Sequence, residues 1–353
     1  MLGTRPEIIK LAGVLDGLGP DAVLVHTGQH YDETLSDVFF DALELAPPHH
    51  RLQLGGLSRA EQIGRGTAEV AALLEQIAPD VVIVQGDTNS ALAGALAANS
   101  VGIPLLHVEA GLRSFDRAMP EEHNRVLVDH LSDLLAAPTP SAVANLAREG
   151  ISGASVFCCG NTVIEAVHRQ LPGPAERAAL LDRFGLVADE FVLATVHRPE
   201  NTDDPATLRQ ILSELGELPM PVVLPIHPRT RGAAEAAGLA QLLEPLRIVE
   251  PVDGPTFLGL AAEAAVLISD SGGVQEEVTV IGRPLVVVRR STERPEAFEH
   301  HAVLVSPDGI ATAAQSYLAD LPGVHAKLGA LASPFGDGTA SRRVVDLVRS
   351  RFE

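Results

Sequence analysis

The stretch from Val81 to Arg125 constrains the fold more than any other part of the chain. It contains two short apolar runs, Val81–Gln85 and Pro104–Val108, separated by an alanine-rich segment typical of a helix. A strand, a helix and a second strand in this order form a βαβ unit, whose strands are parallel and end at the same sheet edge. The segment therefore predicts an open α/β fold that binds its ligand at the carboxyl ends of the strands.

Three carboxylates are expected near that edge. Asp87 and Glu109 each follow one of the two strands, and Glu121 comes just after Pro120 at the start of the next helical pattern. Partial desolvation at the end of an apolar strand raises a carboxyl pKa toward acid/base use. Taken alone, Asp87 is better explained as a helix cap or a turn residue, and Glu121 is equally well explained as the i,i+4 partner of Arg125. As a group, the carboxylates indicate proton-transfer chemistry.

The alternation of strands and helices continues through both halves of the chain. Further strands are predicted over residues 22–27, 134–137, 156–159, 191–196, 222–226, 247–249, 266–269 and 285–288. The Pro- and Gly-containing stretch Gln170–Pro174 is the expected linker. We therefore expect an N-terminal Rossmann-like domain over residues 1–168, a C-terminal one over 169–340, and a terminal helix over 341–353.

The beginning of the chain departs from this pattern. Gly3–Lys10 is typical of a tight turn that enters a helix, with Pro6 in the first turn. Such a turn normally follows a buried strand, yet only Met1 and Leu2 precede it. We therefore expect the first strand of the sheet to be missing, and the native start to lie upstream of Met1.

Composition narrows the function classes. The chain has 26 Lys and Arg against 46 Asp and Glu, a net charge of −20, which disfavours a nucleic-acid partner. Its two cysteines, Cys158 and Cys159, are adjacent and suit neither a disulfide framework nor a zinc site, so no metal is expected. No apolar run has membrane-spanning length and no signal peptide opens the chain. We expect a cytoplasmic protein that does not bind membranes.

Candidate ligand-binding groups cluster at predicted strand ends. Gly272 and Gly273 allow a close backbone approach at a helix start, which suits a phosphate, and Glu277 is placed to accept hydrogen bonds from ribose. An ordinary βα turn explains this stretch equally well. In a chain of charge −20, several cationic side chains at such edges favour a nucleotide diphosphate. These side chains are Arg5, Lys10, Arg113, Arg125, His197, Arg198, His227, Arg229 and Arg294.

Two familiar nucleotide-binding patterns are missing from the sequence. It has no Walker-type lysine loop, and no Gly-x-Gly-x-x-Gly follows a predicted strand, so NAD-dependent chemistry lacks its usual fingerprint and no cofactor is expected. Phe257 heads a predicted helix in a chain without tryptophan. It would offer a nucleobase a flat apolar face, although a core phenylalanine is the commoner situation.

Six motifs together resemble the non-hydrolysing UDP-N-acetylglucosamine 2-epimerase family. They occur in family order over nearly the whole chain, at Gly3–Glu7, Gly86–Thr88, His107–Arg113, Pro120–Glu122, Ser271–Glu277 and Thr292–Glu296. The resemblance implies a GT-B-like α/β fold of two Rossmann-like domains, with parallel sheets and the active site in the cleft between them. It also implies that the terminal helix packs back on the first domain, that the protein is a homodimer and that its substrate is a UDP-sugar.

The resemblance also implies roles for particular residues. Asp87, Glu109 and Glu121 match the catalytic carboxylates, and His197 matches the active-site histidine. The UDP-binding positions correspond to Arg5, Ser271, Gly272, Gly273, Glu277 and Arg294, with Phe257 beside uracil and Lys10 and Arg125 as helpers. Arg113, His227 and Arg229 are further substrate-binding candidates.

The implied reaction eliminates UDP across C1–C2 to give a 2-acetamidoglucal, and UDP then adds back with inversion at C2. A base and an acid of suitable pKa are needed, and the sequence does not assign them among the three carboxylates. UDP-N-acetylglucosamine and UDP-N-acetylmannosamine would thereby be interconverted.

Several alternatives stay open at the level of sequence. A hydrolysing relative would release N-acetylmannosamine and UDP. The loop 114–119 is like that of one branch of the family and shorter than that of another, and the segment 197–204 resembles forms found in relatives that act on modified UDP-sugars. A GT-B glycosyltransferase or a non-enzymatic UDP-sugar-binding protein would keep the same nucleotide site. Some family members bind a second substrate molecule as activator. Gln29 and His30 match that site whereas Asp32 departs from it.

Overall fold

The computed structural model describes residues 1–29, 40 and 43–352. Two compact units are formed, the first by Met1–Ala166 with Phe335–Glu353 and the second by Val167–Pro334. All strand pairs between named strands of the described chain are parallel, and helices connect the strands. The predicted α/β class with parallel sheets is confirmed. His30 and Asp32, considered for substrate activation, lie outside the described residues.

Unit 1 begins with a helix and alternates strands and helices. Its elements up to the unit boundary are α1 (Arg5–Leu18), β1 (Val25–His26), β2 (His50–Arg51), α2 (Arg59–Ile77), β3 (Val82–Gln85), α3 (Asn89–Val101), β4 (Leu105–Val108), α4 (Pro120–Leu131), β5 (Leu134–Ala137), α5 (Pro140–Arg148) and β6 (Val156–Cys158). The next helix, α6 (Val163–Gln170), contains the boundary between the units.

Unit 2 contains a six-stranded sheet in the order β12-β11-β10-β7-β8-β9. Its elements are α7 (Pro174–Phe184), β7 (Val192–Thr195), α8 (Pro199–Thr202), α9 (Pro205–Gly216), β8 (Val222–Pro225), α10 (Pro228–Ala236), β9 (Arg247–Val249), α11 (Gly254–Glu263), β10 (Val266–Ser269), α12 (Gly272–Ile281), β11 (Leu285–Val288), β12 (Ala302–Val305), α13 (Ile310–Leu318) and α14 (Leu321–Gly329). The strand β12 was not predicted from the sequence. The last helix, α15 (Ala340–Phe352), belongs to unit 1.

The central strands of unit 1 are buried throughout because helices cover both faces of a parallel sheet. Every residue of β4 and β5 is buried. In this four-stranded sheet, ordered β3-β4-β5-β6, Gln85 is opposite Val108. The chain therefore leaves β3 and β4 at the same level, and the loops beginning at Gly86 and Glu109 start side by side.

Met1 and Leu2 occupy the place of the first strand, which the sequence analysis expected to be missing. Leu2 forms an isolated parallel bridge with His26, donating to Val25 O at 3.0 Å and accepting from Thr27 N at 2.9 Å. The Met1 amino group donates to Ile83 O at 2.9 Å. The turn into α1 is therefore anchored to both β1 and β3 by residues 1 and 2.

Helix α15 packs against α1 inside unit 1. Its buried Val344 and Val345 share an apolar cluster with Ile8 and Leu11 of α1. The helices approach closely at Gly13, where an added β-carbon would lie 2.6 Å from Ser341 Oγ. This glycine permits the contact between the two ends of the chain.

Two Gly→Ala substitutions should therefore have opposite effects on stability. Gly64 lies in a part of α2 with open space around it. Gly64→Ala should raise the free energy of unfolding by about 0.5–1 kcal/mol, because alanine reduces the conformational entropy of the unfolded chain. Gly13→Ala should lower it, because α15 must shift at a cost of about 1–3 kcal/mol. Denaturant titration of both variants tests the packing, and stabilisation by Gly13→Ala would contradict it.

Candidate active site

Glu109 is the most tightly held of the predicted catalytic carboxylates. It follows β4 directly and is buried, with 5% of its surface exposed. Lys10 Nζ lies 2.6 Å from Glu109 Oε1, and Asn161 Nδ2 donates to the same oxygen at 2.9 Å. The Gln85 side-chain amide donates to Oε2. Donors on both oxygens fix the orientation of the carboxylate, and Lys10 supplies the compensating charge.

The backbone at Glu109 adopts an unfavourable conformation. Its φ is +71°, in the left-handed region that a non-glycine residue seldom occupies. The N–H groups of Glu109 and Ala110 both donate to Ala136 O, at 3.1 and 3.2 Å, and hold the turn in place. Gly111 follows at φ +83°, where a β-carbon would lie 2.4 Å from Ala142 O. Local strain of this kind is characteristic of functional loops.

Asp87 lies on the neighbouring loop and is partly accessible, with 32% of its side chain exposed. Its carboxylate pairs with Arg125, and its carbonyl accepts from Asn124 Nδ2 at 2.8 Å. The cap of α3 is Thr88, which accepts from Ala91 N at 3.0 Å, so the helix-cap interpretation of Asp87 is wrong. A β-carbon added at Gly86 would lie 3.6 Å from Glu109 Oε2. The two carboxylate loops are therefore in close proximity.

The third predicted carboxylate, Glu121, is exposed in the first turn of α4. Arg125 pairs with Glu122 and Asp87, so the ion pair weighed for Glu121 and Arg125 is replaced by these contacts. Glu122 accepts from Ser114 N at 3.0 Å and Phe115 N at 2.8 Å, which orders the loop before α4. Among the described contacts, the structure brings Asp87 and Arg125 together, and Glu109 and Lys10, but adds Glu121 to neither pair.

Glu7 is a buried acid that the sequence analysis did not single out. It accepts from Gly3 N at 3.0 Å, Thr4 Oγ1 at 2.8 Å and Thr88 Oγ1 at 2.9 Å. Burial raises the pKa of Glu7 to about 6, against the opposing effect of these hydrogen bonds. The residue ties the start of α1, where Arg5 is the first helical residue, to the loop that carries Asp87.

The raised pKa of Glu7 has a measurable consequence. Between pH 4.5 and about 6 the folded protein keeps a proton that the unfolded chain has lost, so stability falls as pH rises through this range. As pH rises through the whole titration, the free energy of unfolding of the wild-type protein should fall by about 2 kcal/mol relative to that of Glu7→Gln. Denaturant unfolding of both proteins from pH 4 to pH 8 measures the difference.

Glu61 provides a control, because its pKa is shifted in the opposite direction from that of Glu7. It is exposed, and its hydrogen bonds with Ser58 lower its pKa. The stability that Glu61 contributes is therefore present above its unfolded pKa and is lost as pH falls. The same pH trend in Glu7→Gln and Glu61→Gln would contradict the assignment to Glu7.

Arg113, a predicted substrate-binding residue, is buried and engaged inside unit 1. Its guanidinium lies 2.7 Å from Asp129 Oδ2 and 2.6 Å from Glu149 Oε2. These contacts join the loop after β4 to α4 and to the end of α5.

In unit 2, His197 follows β7 and is oriented by a buried aspartate. His197 Nδ1 lies 3.0 Å from Asp270 Oδ1, and 39% of the histidine side chain is exposed. Asp270 Oδ2 accepts from the backbone N–H groups of His197 and Arg198 at 2.9 and 2.8 Å. Burial opposes ionisation of Asp270, but His197 and these N–H groups together hold its pKa below the ordinary value. His197 thus has one fixed nitrogen and an accessible ring.

His227 and Arg229 follow the adjacent strand β8. The rings of His227 and His197 have centroids 5.7 Å apart, and burial, with the nearby charges of His197 and Arg229, lowers the pKa of His227. Arg229 pairs with Asp203 at 2.8 Å. Phe257 is half-buried in the first turn of α11, after β9. Because the strands are parallel, these residues and His197 belong to the same edge of the sheet.

The start of α12 places backbone N–H groups beside a guanidinium. Ser271 is the N-cap residue, and Gly272 and Gly273 open the helix. A β-carbon on Gly272 would lie 2.8 Å from Arg294 Nη1, so only glycine allows the guanidinium this close. Arg294 Nε lies 2.7 Å from Glu276 Oε1. A helix N-terminus with an adjacent arginine favours a phosphate group.

The loop that carries Arg294 is docked on the same helix. Thr292 Oγ1 donates to Gln275 Oε1 at 2.6 Å, and Arg294 N donates to Thr292 Oγ1 at 3.0 Å. Glu277, one turn into α12, is half-buried. Ser271, Gly272, Gly273, Glu277 and Arg294 therefore belong to one side of unit 2.

Four supporting residues were missed by the sequence analysis. Gln85 and Asn161 contact Glu109, Glu7 supports the Asp87 loop, and Asp270 orients His197. Gln85 and Asp270, at the end of or directly after a strand, had a recognisable signal, because polar residues interrupt apolar runs there. Within the described ranges, no group of three or more His, Cys, Asp and Glu side chains could hold a metal ion, and no helix is long and apolar enough to span a membrane.

Fold and site together define a parallel α/β protein with two adjoining carboxylate loops in unit 1 and a Gly-Gly helix start beside an arginine in unit 2. The family model described as UDP-N-acetylglucosamine 2-epimerase matches residues 19–349. The UDP-N-acetylglucosamine 2-epimerase of Methanococcus maripaludis is 39% identical over 361 residues, which cover 99% of this chain and 97% of the relative. The chain belongs to the UDP-N-acetylglucosamine 2-epimerase family.

Two further proteins bear on the substrate. The crystal structure of Methanocaldococcus jannaschii UDP-GlcNAc 2-epimerase in complex with UDP-GlcNAc and UDP matches with a TM-score of 0.85 and 38% identity, covering 99% of this chain and 98% of that one. The UDP-2,3-diacetamido-2,3-dideoxy-D-glucuronate 2-epimerase of Pseudomonas aeruginosa is 40% identical over 303 residues, 83% of each chain.

Proposed function

We propose that the protein interconverts UDP-N-acetylglucosamine and UDP-N-acetylmannosamine without hydrolysis, by eliminating UDP to a 2-acetamidoglucal and adding it back with inversion at C2. The observation that carries the proposal is the pair of adjoining loops bearing Asp87 and Glu109, each carboxylate with a cationic partner. Removing the C2 proton and returning one to the opposite face requires two such groups.

The two carboxylates suit different roles within this proposal. Glu109 is buried and held by Lys10, whereas Asp87 is partly exposed. Lys10 stabilises the Glu109 carboxylate in a fixed place, whereas Asp87, at the accessible end of its loop, would approach the sugar. We propose Glu121, exposed at the start of α4, as the third acid/base group.

Unit 2 is the proposed binding site for UDP. The N–H groups at Gly272 and Gly273 and the Arg294 guanidinium would bind the diphosphate, Glu277 the ribose and Phe257 the uracil. His197, held by Asp270, would stabilise charge on the departing phosphate oxygen, and His227 and Arg229 would assist. The family resemblance supports this assignment, and it likewise supports a homodimer.

The substitutions Asp87→Asn and Glu109→Gln should abolish turnover while UDP still binds. Loss of a required acid/base group costs about 10²–10⁴-fold in rate, whereas the proposed nucleotide contacts are in unit 2. Turnover is followed by proton NMR with UDP-N-acetylglucosamine in heavy water, and UDP affinity by calorimetry. Glu75→Gln, an exposed carboxylate on α2, is the matched control. Loss of UDP binding in both site variants would show that the carboxylates are structural.

The same NMR measurement decides between the activities. UDP-N-acetylmannosamine with deuterium at C2 is the expected product. Free N-acetylmannosamine would instead show a hydrolysing enzyme. The Pseudomonas relative named for a diacetamido-glucuronate substrate gives a second candidate, so the corresponding modified UDP-sugar should be compared at equal concentration.

Arg294→Ala should weaken UDP binding. Charge-assisted hydrogen bonds contribute about 1.5–3 kcal/mol, so the dissociation constant should rise about 10- to 100-fold. Arg209→Ala, an exposed arginine of α9 in the same unit, should leave it unchanged. Calorimetric titration with UDP makes the comparison, and equal affinities of the two variants would exclude Arg294 from the site.

A further inference from the structure

Helix α4 is connected to both carboxylate loops through one buried pair, His107 and Asp129. Asp129 Oδ2 accepts from Gly111 N at 3.0 Å, and Asp129 Oδ1 lies 2.6 Å from His107 Nδ1. His107 Nε2 lies 2.9 Å from Gly86 O. Gly86 directly precedes Asp87, and Gly111 comes two residues after Glu109. Both side chains of the pair are completely buried.

The hydrogen-bond partners determine the protonation of the His107 ring. A backbone carbonyl can only accept, so Nε2 must carry a hydrogen to bond Gly86 O. Asp129 also accepts from Gly111 N and faces the Arg113 guanidinium at 2.7 Å, so it is a carboxylate that accepts from Nδ1 as well. A ring that donates from both nitrogens is an imidazolium.

The charge on this ring is balanced by its neighbours. Asp129 contacts it directly, and Arg113 and Glu149 form the next ion pair outward, at 2.6 Å. The four groups alternate in sign and sum to zero. Removing one member would leave a buried charge without its partner, which is the costly situation for an ion pair away from water.

We propose that His107 is an imidazolium in the resting protein and acts with Asp129 as a positioning pair that sets the separation of the Asp87 and Glu109 carboxylates. His107 bonds the backbone just before Asp87, and Asp129 bonds the backbone two residues after Glu109. Neither member of the pair touches the Asp87 or Glu109 carboxylate. The inference rests on the proposed function for its effect on turnover. Displacement of a reacting group by about 1 Å can reduce a rate about 100-fold, so a small shift of either loop would be visible in turnover.

The first arm of the test measures the ring itself. In wild-type protein labelled with ¹⁵N in histidine, both ring nitrogens of His107 should show protonated signals at pH 7, whereas a neutral ring would show only one. His107→Gln identifies the signal by its absence. A neutral ring at neutral pH would overturn the proposal.

The second arm separates positioning from folding. His107→Leu removes both donors and should reduce kcat about 100-fold, with KM and UDP affinity within about twofold of wild type. His107→Gln can still donate to Gly86 O and should recover part of the loss. Val128→Ala, a fully buried apolar neighbour on α4, should lower the melting temperature and leave kcat unchanged.

The outcomes distinguish the two proposals. Wild-type kcat in His107→Leu, or an equal kcat loss in Val128→Ala, would overturn the positioning role. A wild-type protein that leaves the C2 proton in place would refute the proposed function instead. In that case the nitrogen signals of the resting protein still decide the protonation of His107.

Discussion

The parallel pairing of β3 with β4 is the constraint on which the candidate site of unit 1 depends. Because Gln85 is opposite Val108, the loops carrying Asp87 and Glu109 leave the sheet at the same level. A shift of one residue would reverse the side-chain directions of the strand and separate the carboxylates. Burial of every residue of β4 opposes such a shift, so packing in the core fixes the register that brings the two carboxylate loops together.

Charge inside this unit is compensated locally. Lys10 faces Glu109, Arg125 lies between Asp87 and Glu122, and Arg113 lies between Asp129 and Glu149. Buried ions are tolerated when each has a partner and hydrogen bonds to its remaining atoms. The net charge of −20 therefore says little about the site, where basic residues are concentrated beside the acids. The same principle applies in unit 2, where Glu276 and Glu293 surround Arg294.

Strong local patterns made much of the fold predictable. The bounds of β5, β9, β10 and β11 agree with prediction to the residue, because a proline or a charged residue directly follows each of these short runs. β12 was missed because Ala302–Val305 is short and follows a polar turn, and it becomes a strand by pairing with β11. β2 is also stabilised by pairing, in this case with β1, and its own sequence has no strand pattern.

The sequence by itself determined the α/β class, the strand ends where Asp87, Glu109 and His197 lie, and the motifs that identify the family. These properties depend on local periodicity and on residues close together in the chain. Tertiary structure alone decided which side chains are partners. Asn161 donates a hydrogen bond to Glu109, Asp270 contacts His197, and Glu122 takes the place of Glu121 as an ion-pair partner of Arg125. Such contacts depend on how elements distant in the chain pack and on which side chains are buried, and neither follows from the spacing of residues along the chain.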